Sequence, residues 1–180
     1  MRLHGVIVLG VLAALTVVGC GSTPPSAEIE PVEGRIVVGP NLNPNAEGRP
    51  SPVYLRIYQL ADSVPFTSAS FEELADRDRE ILGASLISRD EFELCPLETA
   101  GAVGAGQARS RCQGEVLPVT LDVRGDTRYL AVMGEFYDLH DPSGSWRAVT
   151  EIPEEGLLGL FGSREFVVDV RRATVAVRFE

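Results

Sequence analysis

The chain has 180 residues, 44% of them hydrophobic, enough for one ordinary core and too few for two large domains. Sixteen basic residues against 26 acidic ones leave a formal net charge of -10, and without a single lysine every cation is an arginine. That balance excludes a nucleic-acid binder relying on a cationic surface and disfavours electrostatic docking on anionic lipid, while two histidines, His4 and His140, exclude a multi-histidine metal site.

Arg2 supplies a positive leading region, and Gly5 to Gly19 is an almost unbroken run of Val, Leu, Ile, Ala and Gly. The run is too short to span a bilayer comfortably and reads as an export signal over residues 1–19. It ends in Val17-Val18-Gly19-Cys20, a lipobox pattern in which Cys20 becomes the diacylated first residue of the mature protein. The covalent lipid on Cys20 then carries about three chains, more than stable anchoring needs. Gly21 follows the cysteine where an Asp would resemble an inner-membrane retention signal, so the expected location is the periplasmic face of the outer membrane. Residues 20–31, rich in Pro and small polar types, read as a lipidated N-terminus and flexible tether.

From residue 32 to 180 the hydrophobic period is mostly two, the signature of half-buried strands. Candidate strands are Gly34 to Val38, Val53-Leu55-Ile57, Ala84 to Ser88, Glu91 to Leu94 and Val116 to Val123. Further ones are Thr127 to Leu139, Trp146 to Ile152, Glu165 to Val170 and Ala173 to Phe179. About eight short strands separated by turn residues predict a mainly β chain folded as an antiparallel sandwich of two sheets. Arg171-Arg172 is poor chemistry for the last tight turn, which calls for positive φ. One segment has the period of a helix: Ser70 to Leu82 starts with Ser and Glu in capping-box spacing, carries Phe71, Leu74, Ile81 and Leu82 as an apolar stripe, and closes at Gly83. The charged run Asp76-Arg77-Asp78-Arg79-Glu80 reads as its solvated face.

Few residues point to chemistry. Cys95 and Cys112 are left once Cys20 is lipidated, and in an oxidising periplasm they are expected to form a disulfide closing the glycine-rich stretch between them. Their spacing is unlike a Cys-x-x-Cys redox pair. His140 falls in a turn, Asp141-Pro142-Ser143-Gly144 following it; a hydrolase would have to centre on that one imidazole. A small-ligand or glycan-binding module would need Trp146, Tyr54 and Tyr58 on an exposed concave face, although Trp146 and Tyr129 read more simply as core-packing residues. Two connections are unusual. Residues 39–52 contain four prolines, which pre-organise the loop for binding. Residues 153–162 place Leu157, Leu158, Leu160 and Phe161 where polar residues belong, so they either fold back on the core or form a contact patch for lipid or protein.

In chain order, the lipobox, Leu42-Asn43-Pro44, Gly48-Arg49-Pro50-Ser51-Pro52, Arg56-Ile57-Tyr58-Gln59-Leu60, Phe66, Phe71 with Leu74, Leu82-Gly83, Tyr129, Phe136, Asp138-Leu139 and Trp146-Arg147 resemble the type VI secretion outer-membrane lipoprotein family, TssJ (SciN, VasD). The resemblance runs from Cys20 to about Ile152. It implies a transthyretin-like β-sandwich with a small helical insertion and a structural adaptor without catalysis or cofactor. Its implied partner is the C-terminal periplasmic region of the inner-membrane protein TssM, held through the loop from Gly39 to Ser51. On that basis the partner-binding residues are Asn41, Leu42, Asn43, Asn45, Glu47 and Arg49. Segments 95–112 and 153–162 depart from the family pattern.

Overall fold

The computed structural model describes residues 29–96, 115–153 and 164–180. Cys20, Cys112 and the apolar stretch from Leu157 to Phe161 lie outside them. Eight strands form two four-stranded sheets: β1 (Ile29–Val38), β4 (Val116–Arg124), β7 (Phe166–Arg171) and β8 (Thr174–Phe179) in the order β4-β1-β7-β8, and β2 (Val53–Leu60), β3 (Leu86–Leu94), β5 (Tyr129–Glu135) and β6 (Arg147–Glu151) in the order β3-β2-β5-β6. The sandwich is therefore as the periodicity predicts, with one exception to antiparallel pairing. β1 and β7 run parallel, Gly34 opposite Phe166 and Val38 opposite Val170.

Alternation along the strands builds the core. Val32, Ile36 and Val38 of β1 meet Val53, Leu55 and Ile57 of β2, with Leu121, Val132, Phe166, Val168 and Val175 filling the layer. Gly34 is required there, because a β-carbon would stand 2.3 Å from the Phe166 ring. The sandwich closes along one side: Ser145 donates its N–H to Ala173 (3.0 Å) and accepts from Val175 N–H (2.8 Å), which joins the β6 edge to β8. Two strands differ in extent from the sequence reading, and a doubtful turn is present. β1 starts at Ile29, so residues 29–31, assigned to the tether, pair with β4. Leu86 to Leu94 is one strand, β3, where the sequence reading has two, and Ala84 and Ser85 belong to a 3-10 turn (Gly83–Ser85); Arg89, in the gap between the two expected strands, is held in β3 with its guanidinium on Asp78. The last hairpin does turn at Arg172, which takes φ 38°.

The strand β2 reads Val-Tyr-Leu-Arg-Ile-Tyr-Gln-Leu and β5 Tyr-Leu-Ala-Val-Met-Gly-Glu; such near-continuous apolarity requires cover on both faces. The helical insertion supplies it. α1 (Val64–Ser68) and α2 (Phe71–Leu82) lay Phe66, Leu74 and Leu82 over Tyr58, Leu60, Ala131 and Met133. α2 begins as expected, with Ser70 Oγ accepting from Glu73 N–H (3.2 Å) and Glu73 Oε2 accepting from Ser70 N–H (2.8 Å). In helix α1 the N-cap Ser63 makes no side-chain cap; Asp62 Oδ1 accepts the Val64 N–H (3.0 Å) instead, and Pro65 falls in the first turn, where it is tolerated.

Charge locks the insertion down, and here the sequence reading needs correcting. Asp78 is not on a solvated face: it is 5% exposed. α2 kinks at Arg77 (φ -139°), and the Arg56 guanidinium donates to the Leu74 and Ala75 carbonyls there (3.0 and 3.1 Å). Asp78 accepts from Arg89 (2.5 Å), from the Tyr58 hydroxyl (3.1 Å) and from the N–H of Arg79 (2.7 Å). Burial alone would raise its pKa, yet the hydrogen bond and charge of Arg89 outweigh burial and hold it below the ordinary carboxylate range. The same burial, with Asp78 beside it, pushes the Tyr58 hydroxyl well up, so Tyr58 stays a donor. Arg147 does for α1 what Arg56 does for α2, donating to the carbonyls of Phe66 (2.9 Å) and Ala69 (2.6 Å) while lying 4.6 Å above the Trp146 ring; Trp146 in turn meets Phe71 edge-on at 5.4 Å.

Replacing Asp78 by Ala removes the carboxylate that the Arg89 guanidinium and the Tyr58 hydroxyl share, leaving Arg89 with Glu91 (3.0 Å), and breaking a buried pair from one side costs about 3 kcal/mol. The urea midpoint of D78A is expected to fall accordingly, whereas E80A, on the exposed face, leaves it in place.

Candidate functional site

At one pole of the sandwich the β1–β2 loop (39–52), the β5–β6 loop (136–146) and the β7–β8 turn meet around a cleft of about 530 Å³. The loop is pinned from below. Leu42 is a plug, 0% exposed and inserted in the main core. Asn43, 6% exposed, then ties three segments together: its N–H donates to Arg172 O (2.7 Å), its Nδ2 to Pro52 O (2.5 Å), and its Oδ1 accepts from Tyr137 N–H (2.6 Å). Asn41 (φ 56°) and Asn43 (φ 46°) both adopt left-handed backbone, which Asn tolerates better than other side chains. That explains why the loop uses asparagine.

Above the clasp the tip folds on itself. Asn45 Oδ1 accepts from the N–H groups of Glu47 (3.1 Å) and Arg49 (3.0 Å), Gly48 N–H donates to Asn45 O (2.8 Å), and Asn45 N–H donates to Arg49 O (2.9 Å). Glu47 and Arg49 project from this tip with their charges 3.8 Å apart and side chains 63% and 76% exposed. Of the six residues expected to bind a partner, Leu42 and Asn43 are thus internal fasteners, because neither is reachable without opening the core. Asn41, Asn45, Glu47 and Arg49 form the accessible set.

Sequence reasoning missed the other two walls. Tyr137 is 65% exposed beside the loop, and Asp138, Asp141 and Arg172 line the cleft with it. Asp141 Oδ1 accepts the hydroxyl (2.6 Å) and N–H (2.9 Å) of Ser143, and Oδ2 the Arg172 Nε (3.1 Å). The Ser143 hydroxyl, then its N–H, then Arg172, hold the Asp141 carboxyl down at about 2. The signal was the Arg171-Arg172 anomaly, an arginine at a position that calls for glycine.

Two other functional readings fail on geometry. Tyr58 is fully buried against Phe66 (5.5 Å between ring centroids) beneath the helical insertion, whereas Tyr54 is exposed on β2, so Tyr58 is not available to an exposed aromatic face with Tyr54 and Trp146. His140 is exposed on its loop, and among the described residues its ring has no hydrogen-bond partner that would make it a base. Cys95 follows β3 and is disulfide-bonded; the partner sulfur lies outside the described residues.

Asn43→Ala removes both amide contacts and puts an alanine at positive φ. A loss of about 3 kcal/mol is expected from the summed penalties, measured by urea unfolding, together with faster protease cleavage within 39–52. Because the Asp141 pKa is depressed, its pairing is complete above the ordinary carboxylate pKa and is lost only as pH falls through about 2; an NMR titration of its carboxyl carbon should show that midpoint.

Comparison with known proteins gives the setting. The family model described as type VI secretion lipoprotein, VasD, EvfM, TssJ, matches residues 30–111, a span covering the β1–β2 loop, the insertion and β3. No curated protein sequence matches significantly. Among solved structures, the type VI lipoprotein TssJ1 of Pseudomonas aeruginosa is similar at 25% identity and TM-score 0.62, over 85% of this chain and 98% of that one. Lip of Serratia marcescens, a membrane-bound component of the type VI secretion system, shares the fold at 21% identity and TM-score 0.60, over 82% and 96%. A chain in the structure of the TssM C-terminal domain from EAEC does so at 20% identity and TM-score 0.55, over 82% and 97%. The chain is thus similar to the type VI secretion lipoproteins, TssJ among them, in the family model over residues 30–111 and in a two-sheet sandwich with a helical insertion.

Proposed function

We propose that the protein is a membrane-anchored structural adaptor of the type VI secretion membrane complex. It is held on the periplasmic face of the outer membrane by lipid on Cys20, it binds the C-terminal periplasmic region of TssM, and it carries out no catalysis. The match to the family model supports the setting, and the observation that carries the reading is the placement of the loop. β1 enters the domain at Ile29 and delivers the chain to Gly39 at the opposite pole, about 33 Å away for ten residues at the usual rise. Only eight residues separate Cys20 from Ile29, a reach of about 30 Å at full extension. The strand by which a tether from Cys20 would enter and the loop thus lie at opposite ends of the sandwich, which supports a bridge between membrane and partner.

The loop's construction fits that work. Leu42, Asn43 and Asn45 hold it in one shape, so little conformational entropy is left to lose on association. Asn41, Asn45, Glu47 and Arg49 are the residues through which it would contact TssM. A Cys95-Cys112 disulfide, which the oxidised state of Cys95 supports, would tie down the segment leading from β3 to β4 near the same pole. The same lipid that anchors the chain is the one modification the reading needs; no cofactor enters it.

In cells, Cys20→Ser is expected to move the protein from the membrane fraction to the soluble periplasm and to abolish type VI secretion, with the purified domain unfolding as the wild type does. Retained membrane association would defeat the anchor. In a binding titration with the purified TssM periplasmic fragment, the double variant E47A/R49A should weaken binding by about tenfold or more, and unchanged affinity would move the contact off the loop tip.

A further inference from the structure

Arg172 breaks a local rule. It is the first of the two turn residues between β7 and β8 and has φ 38°, where an L-residue with a long side chain is disfavoured and glycine or asparagine costs less. Strain of that kind is stored where the surroundings hold it in place and where the side chain has work to do. The surroundings are evident: Arg172 O accepts from Asn43 N–H, and Arg172 Nε donates to Asp141 (3.1 Å), itself fixed by Ser143. The side chain is nevertheless 61% exposed. Among the described residues its two terminal nitrogens have no hydrogen-bond partner. A guanidinium steered by its Nε, with its outer edge open, is arranged to accept a planar two-oxygen group.

Tyr137 stands beside it on the cleft. It is one of the few large side chains left more than half exposed, yet its main chain is fixed by Asn43 Oδ1. Exposed aromatic and arginine side chains on a rigid frame are the types that dominate interface energies. The chain's net charge of -10 opposes an anion here only through near carboxylates, because at physiological salt repulsion from distant ones decays within about 8 Å; of the two that line the cleft, Asp141 is matched by Arg172 and Asp138 accepts the His140 N–H.

Resting on the adaptor reading, we infer that the partner surface is the composite cleft rather than the β1–β2 loop alone: Arg172 binds an Asp or Glu carboxylate on a segment of the TssM periplasmic region, and Tyr137 packs against that segment. The loop tip sets orientation and the cleft supplies the anchor. The carboxylate takes the two open guanidinium N–H donors, so its position is fixed by Asp141 through the same ring of hydrogen bonds that holds the three loops.

The test is a titration of the full lipoprotein in detergent with the purified TssM periplasmic fragment. Arg172→Gly suits the backbone, keeps the carbonyl that Asn43 uses and should melt within a few degrees of wild type, while its Kd rises by about ten- to a hundredfold. Tyr137→Ala should lose a similar factor, and the R172G complex should have less salt dependence than the wild type. If R172G melts early, Arg172→Asn, which also tolerates positive φ, serves in its place. Wild-type affinity in a folded R172G or R172N protein, with E47A/R49A weakened, would overturn the cleft and leave the loop contact standing. No binding by the wild type would overturn the adaptor reading and this inference with it.

Discussion

Three hydrogen bonds from one buried side chain and its backbone decide the shape of the functional pole. Asn43 joins the β1–β2 loop to the β7–β8 turn, to its own far end at Pro52 and to the β5–β6 loop at Tyr137. A net worth of about 1 kcal/mol per bond would be modest, but a buried amide left without partners costs more than its bonds return when made. The three segments are therefore coupled: any one of them moving strands polar atoms on the other two. Leu42, packed in the core one residue earlier, makes the coupling stiff, since lifting the loop also opens a cavity.

The helical insertion obeys the same logic on the other side of the molecule. The sheet β3-β2-β5-β6 is apolar on both faces, and burial of Tyr58, Leu60, Ala131 and Met133 under Phe66, Leu74 and Leu82 gives the insertion its adhesion. Adhesion of that sort does not fix position, because apolar contacts tolerate sliding. Arg56, Arg147 and the Asp78 cluster fix it, each guanidinium meeting helix carbonyls at a kink or an end. Such pairs contribute little net stability once their desolvation is counted, so register is the better account of what they supply. Several family landmarks, Arg56, Tyr58 and Trp146-Arg147 among them, turn out to be parts of this clamp, not contact residues.

Period-two alternation was enough to find the sandwich, because a one-residue slip would have turned Val53, Leu55 and Ile57 outward. The capping box located α2 to within a residue. What was not legible has physical causes. Asp78 sits in the middle of a charged run, and nothing local distinguishes a carboxylate that meets Arg89 across a sheet from its solvated neighbours. Ser88-Arg89-Asp90 looks like a turn for the same reason, its demand for burial being set by α2. At the functional pole, loop 39–52 was recognisable by its prolines, but which of its residues face inward depends on the core beneath. Leu42 and Asn43 were placed outward by the family pattern and are inward in the fold. Tyr137 and Arg172 lie 94 and 129 residues beyond Asn43 in the chain, and the closure of β6 on β8 brings their connections to it.

Placing the stiff loops at the end of the sandwich remote from β1's entry separates two requirements that conflict in a small protein. An anchor works best on a loose tether, since the lipid must reach the bilayer in any attitude of the domain, and residues between Cys20 and Ile29 have the composition for it. A docking surface works best rigid, because each side chain ordered on contact subtracts from affinity. A single rigid unit carrying both would transmit every tilt of the membrane into the interface. Here the strands lie between the two: a ten-residue β1, hydrogen-bonded on both sides from Gly34 onward, separates the end where it enters from the end where the loop is clasped.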